Sequence, residues 1–118
     1  MGTIKGAELI AEVRRIAAEM PGHTYTPEEG EGSCMYGHHD GPGCIIGWAL
    51  QRLDPKVYAA VLEGWNGAEV DQLISGGLID ATEEEGVWLT AVQSRQDMED
   101  RWGWAVAQAS RTEGVGNV

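Results

Sequence analysis

The chain has 118 residues, of which 42% are hydrophobic and 23% charged, so it is expected to fold as one domain with its own core. Lys and Arg number 8 against 19 Asp and Glu, a net charge of −11 that sets the surface against phosphate backbones and anionic lipids. Nucleic-acid binding and membrane insertion are therefore not expected, whereas a basic patch on another protein is an electrostatically favoured partner.

The N-terminal stretch carries Glu8 and Glu12 among its apolar residues, which suits neither a secretion signal nor an anchor. Met1-Gly2 is followed by Gly6 where a myristoylation signal has Ser or Thr. No stretch approaches eighteen consecutive apolar residues. Two cysteines in such a chain do not make a disulfide framework, and a cytoplasmic location is expected.

Residues 4–20 place Leu9, Ile10, Val13, Ile16, Ala17 and Met20 on one stripe at helical spacing, with Glu8, Glu12, Arg15 and Glu19 facing away. Thr3 is the expected cap, and Pro21-Gly22 ends the helix. Thr24, Tyr25 and Thr26 are β-formers ahead of a polar loop. Ser33 to Gly37 reads as a short strand, and Asp40-Gly41 in the turn behind it is a hairpin signal. Pro42-Gly43 then launches a continuous apolar run, Cys44 to Leu50, expected as a buried helix. Gly47 within that run is unfavourable by about 1 kcal/mol relative to Ala, so another backbone is expected to approach closely there.

Asp54-Pro55 caps and starts the next helix, whose stripe is Val57, Tyr58, Val61, Leu62 and Trp65. Asn66 to Glu69 resembles a capping box ahead of Val70, Leu73 and Ile74, and Gly76-Gly77 stops that segment. Thr82 to Glu85 is a second capping box, followed by Val87, Trp88, Ala91, Val92 and Arg95. Met98, Trp102, Ala105, Val106 and Ala109 define a last helix, separated from its predecessor by a turn near 96–99. The expected fold is mainly α (α+β), with five to six short helices around a buried central helix and one short β-hairpin near residues 24–44. Residues 1–111 form the domain, and 112–118 a mobile tail.

The stretch Cys34 to Leu53 holds both cysteines and two of the three histidines. Cys34, His38, His39 and Cys44, with His23 as a further donor, form a candidate zinc site, because thiolate and imidazole are zinc's ligands and a hairpin can bring them together. Their C-x3-H-H-x4-C spacing differs from finger motifs, in which ligands come in close pairs. The alternative is structural: Cys34, Pro42, Gly43, Cys44, Gly47 and Trp48 form the hub where hairpin turns into central helix, and the histidines lie in a solvated turn. Cys44 at a helix N-terminus also suits a thiol nucleophile, but no orienting group or oxyanion donor accompanies it. Glu28, Glu29 and Asp40 have no catalytic spacing, and the Gly-Pro-Gly element lacks the lysine of a phosphate loop. A helix-turn-helix over residues 67–92 would aim Glu83, Glu84 and Glu85 at DNA, which excludes it.

Five tryptophans stand in a chain without phenylalanine. Trp48, Trp88 and Trp102 lie on apolar stripes and are expected in the core. Trp104 falls about 200° around its helix from Trp102, and Trp65 sits at a helix end, making Trp104 and Trp65 the candidate partner-binding residues.

Taken together, S-C-x-Y at Ser33 to Tyr36, P-x-C-I-I-G-x-A-L at Pro42 to Leu50, W-L-x-x-x-Q-x-x-Q-D at Trp88 to Asp97 and W-x-x-A-V at Trp102 to Val106 form a distinctive set. This set resembles small accessory proteins of mycobacteriophages and related actinobacteriophages, over about residues 10–110. The chain departs from it at Met98-Glu99, where the pattern has a glycine. Such phage proteins often inhibit host growth by binding a host protein, and some are cytotoxic when expressed alone, so the expected function is that of a non-enzymatic host-binding protein in the bacterial cytoplasm. The resemblance also implies a DivIVA-type polar growth scaffold as one kind of target, with exclusion of competing phages as a consequence. A homodimer is compatible with this reading. The alternatives are a small zinc-binding or thiol-dependent protein centred on Cys34 and Cys44, and an acidic DNA mimic.

Overall fold

Pairing partners for helix ends decide how this chain is arranged. The computed structural model describes residues 3–25, 35–38 and 41–112. In chain order these residues form β1 (Ile4–Lys5), α1 (Gly6–Glu19), β2 (Gly37–His38), β3 (Gly41–Pro42), α2 (Ile45–Leu53), α3 (Pro55–Gly64), α4 (Val70–Ser75), β4 (Ile79–Asp80), α5 (Glu83–Asp97) and α6 (Trp102–Thr112). The fold is mainly α with one short hairpin, β2–β3, as expected. His39 and Asp40 at the hairpin tip, the 26–34 loop and residues 113–118 of the expected tail lie outside the described residues.

The central helix is α2. Ile45, Ile46, Ala49 and Leu50 are fully buried, and α1, α3 and α5 pack around them. The hairpin delivers it: Gly43 N–H donates to the Tyr36 carbonyl at 3.0 Å and Cys44 N–H to the Met35 carbonyl at 3.0 Å. A Cβ on Gly47 would lie 2.7 Å from the Tyr36 carbonyl carbon and 2.9 Å from its Cα. This is the close backbone approach that the sequence requires at that glycine.

Helix α1 starts later than expected. Thr3 does not cap it; its hydroxyl donates to the Gly77 carbonyl at 3.2 Å. Ile4 and Lys5 leave the helical path to pair in parallel with Ile79 and Asp80. The pairing buries Ile4 and Ile79, and Lys5 meets the Asp80 carboxylate at 2.6 Å. Glu12 is a second correction. It is 6% exposed instead of facing solvent, because Arg15 and Arg52 both bind its carboxylate. Arg52 also binds Glu19 at 2.8 Å, which ties α2 to α1 and holds the Glu19 carboxyl below its usual range.

Orphan N–H groups at three helix starts find partners far away in sequence. Ile45 N–H, at the start of α2, donates to Gln96 Oε1 at 3.3 Å. Val70 N–H, at the start of α4, donates to Gln93 Oε1 at 2.8 Å. At the start of α6, Trp102 and Gly103 donate to the carbonyls of His23 and Pro21, at 2.9 and 3.1 Å. Local caps serve α3 and α5: Asp54 accepts from Lys56 and Val57, and Thr82 accepts from Glu85 N–H. Asn66 does not cap α4. It is bonded both ways to the Gly37 backbone, and Gln72 Oε1 instead accepts Glu69 N–H at 2.9 Å.

The expected turn between the last two helices is present, and its geometry shows which position a glycine would suit. Glu99 N–H donates to the Gln96 carbonyl and Asp100 N–H to the Arg95 carbonyl, both bonds of a Schellman motif. The residue at the left-handed position is Glu99, with φ of 68°. The equivalent position after α4 is held by Gly77, with φ of 83°. A side chain in this conformation is unfavourable by about 1 kcal/mol. Glu99→Gly is therefore expected to stabilise the fold by about 0.5–1 kcal/mol, read as a rightward shift of the urea midpoint at constant slope. Met98 caps α5 at 63% exposure and does not join the α6 stripe.

Candidate functional site

The Cys/His stretch separates into a buried and an accessible part. Cys44 is fully buried beside Ile45 and Ile46, its backbone committed to the hairpin, so solvent does not reach its thiol. Cys34 and His39 lie outside the described residues. His38 Nε2 is hydrogen-bonded to the Tyr25 hydroxyl at 3.0 Å, and that oxygen accepts Met35 N–H at 3.0 Å. The two side chains thus pin the start of the hairpin to the loop after α1. They line a cleft of about 220 Å³ with His23, Pro42 and Trp48. His23 turns its ring onto Trp102, centroids 4.3 Å apart. Among the described residues no group of three or more His, Cys, Asp or Glu stands in metal-binding proximity. Of the residues named as a hub, Gly43 and Gly47 admit the 35–36 backbone, Pro42 pairs with Gly37 in the hairpin, and half-buried Trp48 meets Trp102 edge-on at 6.4 Å.

The two candidate partner residues have different environments. Trp65 is the half-buried C-cap of α3, and a Cβ on Gly76 would lie 2.5 Å from its ring. It is wedged between α3 and the end of α4. Trp104 is 54% exposed, while Trp102, Ala105 and Ala109 on the same helix are fully buried. The 200° offset thus separates a core tryptophan from a surface one, as the spacing implies. Exposed Met98 stands at the corner just before this helix.

Asp97, Glu99 and Asp100 flank these apolar groups, with Arg95 directed to Asp100 at 3.9 Å. Although Asp97 stands at the surface, partial burial of its carboxyl pushes its pKa up; Glu69 adds to this, against a hydrogen bond from Gln96. In sequence, an exposed thioether and three acidic residues, with Arg101 after them, thus lead into the helix that carries the exposed indole. Met98 was not legible as part of this corner, since its spacing also fits the α6 stripe; the acids on both sides of it were the available signal.

Among the described residues no helix is long and apolar enough to cross a membrane. Compared with protein-family models, curated proteins and solved structures, the chain matches none of them.

Proposed function

We propose that this chain is a non-enzymatic binding protein whose partner presents a basic surface, and that it acts as a phage accessory protein by binding a host protein and impairing host growth. The observation that carries the binding reading is Trp104, which holds 54% exposure on a helix whose other large apolar residue is buried. Isolated apolar residues are common on surfaces, but a tryptophan is the residue type most enriched at interface centres, and this one follows an exposed methionine and three acidic residues in the sequence. The net charge of −11 favours fast encounter with a cationic surface. The phage setting and the host target rest on the resemblance of the sequence motifs, with a DivIVA-type polar growth scaffold as the first target to test.

Burying the exposed part of Trp104, on the order of 100 Å², contributes roughly 2–3 kcal/mol to binding. Trp104→Ala is therefore expected to weaken partner binding by roughly 30- to 100-fold and to relieve growth inhibition, while thermal stability stays within about 0.5 kcal/mol of wild type. Stoichiometric capture from mycobacterial lysate, repeated with the variant, measures the first effect. Thermal unfolding measures the second. Failure to capture any stoichiometric partner argues against the proposal, and equal loss of stability and binding would make Trp104 a structural residue.

A further inference from the structure

Helix α5 has a fully buried side and a second, uncharged side that is only partly covered among the described residues. Its core face carries Trp88, Leu89 and Val92, all fully buried. Its other face carries Gly86, Val87, Thr90, Ala91 and Ser94, with no charge in a chain that is 23% charged. Between Glu85 and Arg95 the helix carries no charged residue on either side.

That second face forms one wall of an open groove of about 570 Å³ against α4. Gly86, Thr90 and Ser94 repeat every fourth residue, so small side chains line a straight path about 12 Å long, two turns of a helix. Ile74 of α4 packs onto Gly86, where a Cβ would come 3.3 Å from its Cδ1, and closes that end of the groove with apolar surface. The only charged residues on the lining are Asp71 and Glu83, both acidic.

From this arrangement we infer that the α4–α5 groove receives an amphipathic helical segment of a partner protein, with apolar anchors inward and Lys or Arg at its margins. The inference deepens the proposed function and rests on it for the basic character of the partner. Thr90 and Ser94, one turn apart on the open part of the wall, leave room for a helix backbone, and anchors at i, i+3, i+4 and i+7 match the apolar floor. The acidic margins select cations on the incoming segment. They also disfavour a second copy of this chain, because two protomers of charge −11 would bring like charges together.

The probe is a short Leu/Lys peptide with leucines at i, i+3, i+4 and i+7, compared with its scrambled sequence and with a Leu/Glu peptide of the same pattern. Titration followed by amide NMR shifts is expected to perturb residues 71–94 with the patterned Leu/Lys peptide alone. Val87→Lys and Ser94→Lys, both at exposed positions, should each weaken binding by at least about tenfold with unchanged melting temperature, and Trp104→Ala should leave it unchanged. Equal binding of the scrambled peptide, shifts centred on residues 97–104, or peptide-independent dimerisation through the groove would each overturn the inference. If both lysine variants retain the captured host protein while Trp104→Ala loses it, the groove inference falls and the proposed function stands.

Discussion

Gly47→Ala is expected to destabilise the protein by about 3 kcal/mol, lowering the melting temperature by roughly 10 °C. In a free helix this change would be favourable by about 1 kcal/mol, so the sign itself tests the structure. The added Cβ would meet Tyr36 backbone, at 2.7 Å from the carbonyl carbon and 2.9 Å from Cα, and closer still to the oxygen. Backbone cannot rotate away as a side-chain tip can. Either α2 moves off the hairpin, breaking the bonds from Gly43 and Cys44, or the fully buried residues Ile45 and Ile46 shift with it. Gly64→Ala is the control, since nothing lies within 4 Å of the position its methyl would take and it sits in the last turn of α3. That variant should match or slightly exceed wild type in thermal unfolding by circular dichroism. A Gly47→Ala protein within about 1 kcal/mol of wild type would show that α2 and the hairpin are not in tight contact.

What could be read from the sequence was what is encoded locally. The α1 stripe, the Asp54-Pro55 start, the Thr82 capping box and the break before α6 each use neighbours within a turn, and each is present. The β1–β4 pairing was not legible because two-residue strands have no periodicity and their partners lie 75 residues away, Ile4 on Ile79 and Lys5 on Asp80. Asn66 misled for a related reason. Its side chain can cap a helix, but here the Gly37 backbone offers both a donor and an acceptor and binds the amide at two points. Glu12 was placed outward by helical spacing, whereas Arg52, forty residues on, supplies the charge that permits its burial.

The motif set behind the resemblance also gains a physical meaning. Gly43 and Gly47 admit the 35–36 backbone, Trp88 fills the core, and Gln93 and Gln96 bond two helix starts. These residues build the scaffold. The groove on α5 and the Trp104 corner lie outside those roles, so the pattern describes how the chain folds more than what it binds. That division also accounts for the limited legibility of the candidate site. A tryptophan offset from the core stripe could be found from spacing, but a groove needs the relative placement of α4 and α5.

The second large effect is expected at Gln93, which spans two elements from a buried position on α5. Its Oε1 accepts Val70 N–H at 2.8 Å, and its Nε2 donates to the Tyr36 hydroxyl at 2.9 Å, which in turn donates to the Ala68 carbonyl at 2.6 Å. Val70 and Tyr36 are fully buried, so water does not readily replace these bonds. Gln93→Leu keeps volume and removes both polar groups, leaving the Val70 N–H unpaired at the start of a six-residue helix. The expected loss is about 2–3 kcal/mol, from one buried donor left unsatisfied and one cap removed. Tyr36→Phe alone should lose about 1–2 kcal/mol. The double variant should fall short of the sum, because each single change already disables the shared bond. Gln93→Glu adds a pH signature: burial would raise the new carboxyl's pKa in the folded state above its unfolded value. Stability relative to wild type should then recover below the unfolded carboxyl range and be lost as pH rises through the folded value. Urea unfolding of wild type and the four variants at acid and neutral pH reads these effects, and strict additivity would show that Gln93 and Tyr36 act independently.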